Sequence, residues 1–302
     1  MKSKHIYIIP NTFVIGAQKS ATTSIYDWIA QHPNACGPLS LKDSPVYFTD
    51  DLESSLKHAH PEYIAEGYND QTTVVLQGWV QYLYYPESLL NIRKNSPDAK
   101  LIIVLRDPTD RAISAYRFFR RLGKEKLTLR EALAREAERL DGSFEERNDL
   151  TYIDHGQYAT QLKNLLKIFK HEDIFVTLYE DIQDRPQDVI SEIYDFLGLN
   201  TDFKPILAPQ NVTGTQRFSW LDTLLSQPSA TRKFLVTHLI DRFLPLHKRT
   251  SLRWKLRSWN TIPTTNQPLE DFRVEQEILK AKFHKQILEL EDILGRQLDA
   301  WK

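Results

Sequence analysis

Apolar runs of strand length alternate along the chain with longer stretches whose apolar residues recur at helical spacing. The runs are continuous and do not alternate with polar residues, the pattern expected where both faces of a parallel sheet are covered. Strands are predicted at Thr12–Ile15, Thr73–Leu76, Leu101–Leu105 and Ile174–Leu178. Helices are predicted at Thr22–Gln31, Pro86–Lys94, Pro108–Arg120, Tyr158–Phe169 and Pro186–Leu197, the last stopped by Gly198. A closing helix over Glu275–Leu294 carries Ile278, Leu279, Phe283, Ile287, Leu288, Leu290 and Leu294 at roughly helical spacing. The alternation implies an α/β fold of three layers, a central parallel sheet flanked by helices.

With 302 residues, 41% of them hydrophobic, the chain can bury a core of ordinary size, and without an internal repeat or low-complexity linker residues 1–302 are expected to form one domain. The pattern is less regular over about 215–267, which contains the most basic run, His247 to Arg257. That run reads either as a solvated helix face or as a contact for an acidic acceptor or lipid head group. Lysine and arginine total 39 against 40 acidic residues, so bulk charge gives no reason to expect nucleic acid or an anionic membrane as partner. Any anion site must be local.

The single cysteine, Cys36, excludes an internal disulfide and a multi-cysteine metal centre, and a reducing compartment is the simpler reading. The start of the chain lacks the apolar region and cleavage site of a signal peptide, and no later segment is long and apolar enough to span a bilayer. The expectation is a soluble, cytoplasmic protein. No metal site is expected either, since His58 and His60 stand close together without partner ligands.

After the first strand comes Gly16-Ala17-Gln18-Lys19-Ser20-Ala21-Thr22-Thr23-Ser24, and then helix-patterned Ile25-Tyr26-Asp27-Trp28-Ile29. At such a turn successive backbone N–H groups are unpaired, the helix dipole adds positive potential, and Lys19 supplies a full charge, so a phosphate or sulfate is well held. Thr22 and Thr23 add hydroxyl donors. The alternative is that Ser20, Thr22 or Thr23 simply caps the helix while Lys19 is solvated. The triphosphate loop G-x-x-x-x-G-K-[ST] is not met, which argues against a nucleotide-dependent phosphotransferase, and no G-x-G-x-x-G follows the strand to support a dehydrogenase.

A second candidate anion site follows the third strand, in Arg106-Asp107-Pro108-Thr109-Asp110-Arg111-Ala112-Ile113-Ser114-Ala115-Tyr116. Arg106 can fork to a phosphate, with Asp107 orienting it, and Ser114 falls on the helix begun at Pro108. The alternative is an internal ion pair between Arg106 and Asp107 or Asp110, with Ser114 facing solvent.

The first loop, Phe13 to Ile25, resembles the 5′-phosphosulfate loop of sulfotransferases that use 3′-phosphoadenosine 5′-phosphosulfate (PAPS), and the second resembles their 3′-phosphate motif, L-R-D-P-x-x-R-A-x-S-x-[YW]. The likeness continues through Gln31-His32-Pro33, Gly156 to Leu162, Leu178 to Asp181, Phe196 to Leu199, Asn211 to Gly214, Leu294 to Arg296 and Trp301. It covers nearly the whole chain and is similar to the bacterial carbohydrate-type enzymes and the sulfotransferase domain of heparan-modifying enzymes more than to the cytosolic phenol and steroid group.

The resemblance implies a P-loop-like three-layer fold with a central parallel β-sheet, and transfer of a sulfuryl group from PAPS to a hydroxyl or amine, without a metal. Candidate acceptors are a carbohydrate and a lipid or small-molecule alcohol. It further implies that Lys19 contacts the bridging and sulfuryl oxygens, that Ser20, Ala21, Thr22 and Thr23 cradle the 5′-phosphate, and that Arg106 and Ser114 hold the 3′-phosphate. Arg217 is a further candidate for the 3′-phosphate or its closing loop.

Sulfuryl transfer also needs a group to take the acceptor's proton. Carbohydrate-type enzymes place a glutamate shortly before paired aromatics, and Lys42-Asp43-Ser44-Pro45-Val46-Tyr47-Phe48 is similar with the carboxylate one residue early. Asp43 is the candidate base. The alternatives are a turn-capping Asp43, with His58, His60 or His155 as base, or a PAPS-binding protein without chemistry. Gln77 and Gly78 stand where several relatives carry glutamate and lysine, and Trp79, Tyr82, Tyr84 and Tyr85 either line an acceptor cleft or pack the core.

Overall fold

A computed structural model describes residues 8–37, 47, 68–207, 214–216, 260–263 and 271–302. In chain order they form β1 (Thr12–Gly16), α1 (Thr22–Ala30), β2 (Ala35–Cys36), β3 (Val74–Gly78), α2 (Pro86–Asn95), β4 (Lys100–Leu105) and α3 (Pro108–Arg121). Three short helices follow, α4 (Leu129–Ala134), α5 (Glu136–Leu140) and α6 (Phe144–Asp149), then α7 (Tyr158–Leu166) and β5 (Ile174–Leu178). The order closes with α8 (Tyr179–Asp184), α9 (Pro186–Phe196), the antiparallel pair β6 (Gly214–Gln216) and β7 (Thr261–Pro263), and α10 (Arg273–Leu294).

The central sheet is wholly parallel, in the order β2-β3-β1-β4-β5, so the fold is α/β with helices on both faces. Strand periodicity divides its side chains between two cores. Phe13, Ile15, Leu101, Ile103 and Leu105 face the layer of α2, α3, α7 and α10, while Val14, Ile102 and Val104 face α1 and α9. Every residue of β1 is buried, which is why its sequence shows no polar alternation.

Each predicted strand and helix is present, with ends displaced by a few residues. Gly198 takes φ of 66° just beyond α9, the left-handed turn that a glycine makes without steric cost. Among the described residues no helix is long and apolar enough to cross a membrane.

Candidate active site

The strand order places β1 between β3 and β4, and the chain leaves β1 toward one edge of the sheet and β4 toward the other. Loops that diverge in this way open a crevice at the carboxyl ends of the two strands, where ligands of open α/β sheets bind. Both candidate anion loops start there, Gly16 to Thr23 after β1 and Arg106 onward after β4.

In the first loop Lys19 and Ala21 take φ of 68° and 61°, the left-handed conformation. Backbone N–H groups in turns of this kind converge into an anion-binding concavity. The residue before α1 is Ala21, and no side chain caps the helix, so the capping alternative for Ser20, Thr22 and Thr23 is not what the structure adopts. Ser20 is fully buried and lies beside the Tyr158 phenol, which burial pushes up to about 12. Neither hydroxyl completes a hydrogen bond among the described residues.

Arg106 reaches back to this loop, donating from Nη1 to the Lys19 carbonyl at 3.4 Å, and its guanidinium lies 4.6 Å from the Tyr179 ring centroid. Its carboxylate partner is Asp110 at 3.5 Å, not Asp107, which instead caps α3 by accepting from the Thr109 N–H at 2.7 Å. The Arg106–Asp110 contact is long, and Asp110 is more than half exposed, so the pair contributes little. Arg106 Nε stays buried without a partner among the described residues.

Helix α3 ties the two loops together. Ser114, half-buried, lies one turn beyond Asp110 and one turn before Phe118, whose ring sits 4.2 Å from the Lys19 ammonium. Arg121, a further turn along, stacks on the same ring at 5.5 Å. Burial, with Arg121 and then Arg106 as neighbouring cations, pushes the Lys19 amine down to about 8. Beneath the site the second arginine of the motif, Arg111, is fully buried and donates to the Tyr152 carbonyl. Close by, the Glu136 carboxylate accepts from the Tyr152, Ile153 and Asp154 N–H groups at 2.6 to 2.9 Å. These contacts fix the start of α3 against the segment leading into α7.

The structure therefore brings the turn of Lys19, Ser20, Ala21, Thr22 and Thr23 together with Arg106, and Ser114 lies along α3 between Asp110, which pairs with Arg106, and Phe118, which meets Lys19. Asp43, Arg217, His58, His60 and the basic run at 247–257 lie outside the described residues. His155 is a packing residue: burial pushes its imidazole down to about 3, and Nε2 contacts the Asn148 carbonyl at 3.1 Å. Trp79, Tyr82 and Tyr85 are buried, and the Tyr82 hydroxyl accepts from the Tyr47 N–H, so core packing accounts for them. At Gly78 an added Cβ would stand 3.1 Å from the Tyr26 ring, which fills the space a side chain would need.

Two neighbours of Lys19 carry no motif of their own, Phe118 and Arg121. They fall four and seven positions after Ser114, the helical spacing that puts them on its face. A hollow of about 480 Å³ lies elsewhere, over α4 to α6. Its lining includes the internal ion pairs Arg139–Glu125, Arg135–Glu138 and Lys124–Glu145.

Comparison with known proteins follows the same lines. The family described as "Sulfotransferase domain" matches residues 10–213. The chain is 25% identical over 63% of its length to a bifunctional heparan sulfate N-deacetylase/N-sulfotransferase 1 from Caenorhabditis briggsae, of which it covers 23%. It is 26% identical, again over 63%, to the human heparan sulfate glucosamine 3-O-sulfotransferase 3B1, of which it covers 46%. It thus spans less than half the length of either relative. A crystal structure of a sulfotransferase from Alicyclobacillus acidocaldarius matches 97% of the chain and 99% of its own, with a TM-score of 0.67 and 25% identity.

Proposed function

Since the chain belongs to the sulfotransferase domain family, we propose that it transfers a sulfuryl group from PAPS to a hydroxyl or amine of an acceptor, with residues 1–302 acting as one domain. The observation that carries the reading is the placing of two cation-bearing loops, after β1 and β4, at one crevice. A donor phosphorylated at both ends of its nucleoside needs two such sites. The groups present suit it, because the buried Ser20 Oγ and Arg106 Nε have hydrogen-bonding capacity that the described residues leave unused.

Residues of the first loop, Ser20 to Thr23, bind the 5′-phosphate, and Arg106 and Ser114 bind the 3′-phosphate, with Arg217 as a further ligand. In the transfer the acceptor's oxygen or nitrogen forms a bond to sulfur as the bond from sulfur to the 5′-phosphate oxygen breaks. The electron pair stays on that oxygen, where the Lys19 charge stabilises it. Asp43 takes the acceptor's proton. The relatives' names point to a carbohydrate acceptor, and a lipid or small-molecule alcohol fits the same chemistry.

Calorimetric titration with 3′-phosphoadenosine 5′-phosphate, against ATP with and without magnesium, tests the reading. Tight, magnesium-independent binding of the bisphosphate supports it. A preference for ATP with magnesium would sink it in favour of a phosphotransferase.

A further inference from the structure

Beneath the first loop lies a residue that belongs to neither anion loop. Tyr158, the first residue of α7, is buried, and its phenol lies beside the fully buried Ser20 hydroxyl. Neither hydroxyl completes a hydrogen bond among the described residues. Buried polar groups are nearly always paired, so two adjacent hydroxyls with unspent capacity point to a partner that arrives with a ligand.

The surroundings fix the phenol in place and keep it a donor. Trp301, whose Nε1 donates to Glu180 at 3.2 Å, sets its ring 6.5 Å from that of Tyr158. Two residues before Tyr158, Gly156 fits closely against Phe283 and Pro108, and α7 packs on α10. Burial pushes the phenol up to about 12, so it holds its proton through neutral pH. The charge of the buried Arg111 acts on it more strongly than those of Asp107 and Arg106, and a nearby cation makes a phenol the better hydrogen-bond donor.

A serine hydroxyl has one hydrogen to give and lone pairs to receive. When Ser20 gives its hydrogen to an anion, its oxygen is left to accept, and Tyr158 stands beside it with a hydrogen to donate. In such a chain each bond polarises the next. From this arrangement, which rests on the reading of the first loop as the 5′-phosphate site, we infer that Tyr158 is a positioning residue for the donor: its phenol donates to Ser20 Oγ and so turns the Ser20 hydrogen toward the 5′-phosphate. Tyr158 acts wholly through Ser20 and does not touch the donor.

The test is a double-mutant cycle on the full chain, with wild type, Tyr158→Phe, Ser20→Ala and the double variant titrated by calorimetry. The ligands are 3′-phosphoadenosine 5′-phosphate and adenosine 3′-phosphate, which lacks the 5′ group. Tyr158→Phe should weaken the bisphosphate about five-fold, the scale of one hydrogen bond, and leave the 3′-monophosphate unchanged. On the Ser20→Ala background it should cost nothing further, because the group it acts through is gone. Unliganded Tyr158→Phe should melt no lower than the wild type, since the hydroxyl removed has no partner among the described residues. A loss in Tyr158→Phe that is absent, equal for both nucleotides, or undiminished on the Ser20→Ala background overturns the inference. A wild type that binds neither nucleotide would instead sink the donor reading. The same four proteins titrated with pyrophosphate, which needs only the first loop, would then decide the role of Tyr158: a loss in Tyr158→Phe that vanishes on Ser20→Ala upholds it, and any other result, no binding included, overturns it.

Discussion

Burial and two neighbouring arginines work against the charge on Lys19 and push its pKa from 10.5 to about 8. A lysine whose folded value lies below its unfolded one costs stability, fully so below the folded value, and the cost disappears as pH rises through the unfolded value. Lys19→Met should therefore melt a few degrees above the wild type at pH 7, with the gain gone by about pH 10.5, as thermal denaturation across that range would show. The same substitution should abolish transfer. A site residue that is better for stability when neutral is the usual trade between activity and stability. Its neighbour Arg121 shows why the motif alone is an incomplete description: nothing marks it along the chain except its spacing from Ser114.

At the scale of elements, the docking of α10 depends on one missing side chain. A Cβ on Gly156 would stand 2.5 Å from the buried Phe283 ring and 3.2 Å from Pro108, so no larger residue fits between α10 and the start of α3. Gly156→Ala should lower the urea midpoint by the equivalent of about 1–3 kcal/mol, the cost of overpacking a filled core, and Phe283→Leu should restore part of it.

Arg296, just past α10, forks to Asp181 of α8, with one contact at 2.9 Å, and holds that carboxyl below its usual range. The contribution is present above the ordinary carboxylate pKa and is lost as pH falls through the lowered folded value. Arg296 is half exposed, so Arg296→Gln should cost under about 1 kcal/mol at pH 7 and flatten the acid side of a melting-temperature profile.

The long elements were legible because both of their faces, or one clear stripe, are buried. Those that escaped prediction are short or contiguous with others. The strand β2 is two residues, too few for any period. Helix α8 starts at the residue after β5 and so has no loop to announce it. The helices α4 and α6 did carry a signal, the capping boxes Thr128–Glu131 and Ser143–Glu146, each with both reciprocal bonds formed. With six residues apiece they are too short for helical periodicity to stand out. In the candidate site, the two cation-bearing loops were readable as strand, turn and helix. Their meeting at one crevice follows from the order of the strands, which sequence-local patterns do not contain.

For the molecule as a whole, the crevice joins two distant parts of the chain, the turn at Lys19 and the strand end at Arg106. A ligand that bridges them stabilises the fold by mass action, by about 2.7 kcal/mol at a hundred times its dissociation constant. Saturating 3′-phosphoadenosine 5′-phosphate should accordingly raise the melting temperature by several degrees. Arg106→Ala, at the same ligand concentration, should lose most of that rise while melting like the wild type when unliganded, because its ion pair with Asp110 is long and open to water.

Lys19 and Ala21 adopt a left-handed backbone although neither is glycine. Left to itself such a residue prefers the other hand by about 1–2 kcal/mol. The turn keeps its shape only because the buried strand before it and the packed helix after it leave no alternative. A peptide of residues 12–31, or the same string grafted onto a scaffold that does not clamp both ends, would relax and hold phosphate no better than any lysine-bearing strand. The recognition element is portable as a folded corner and not as a word.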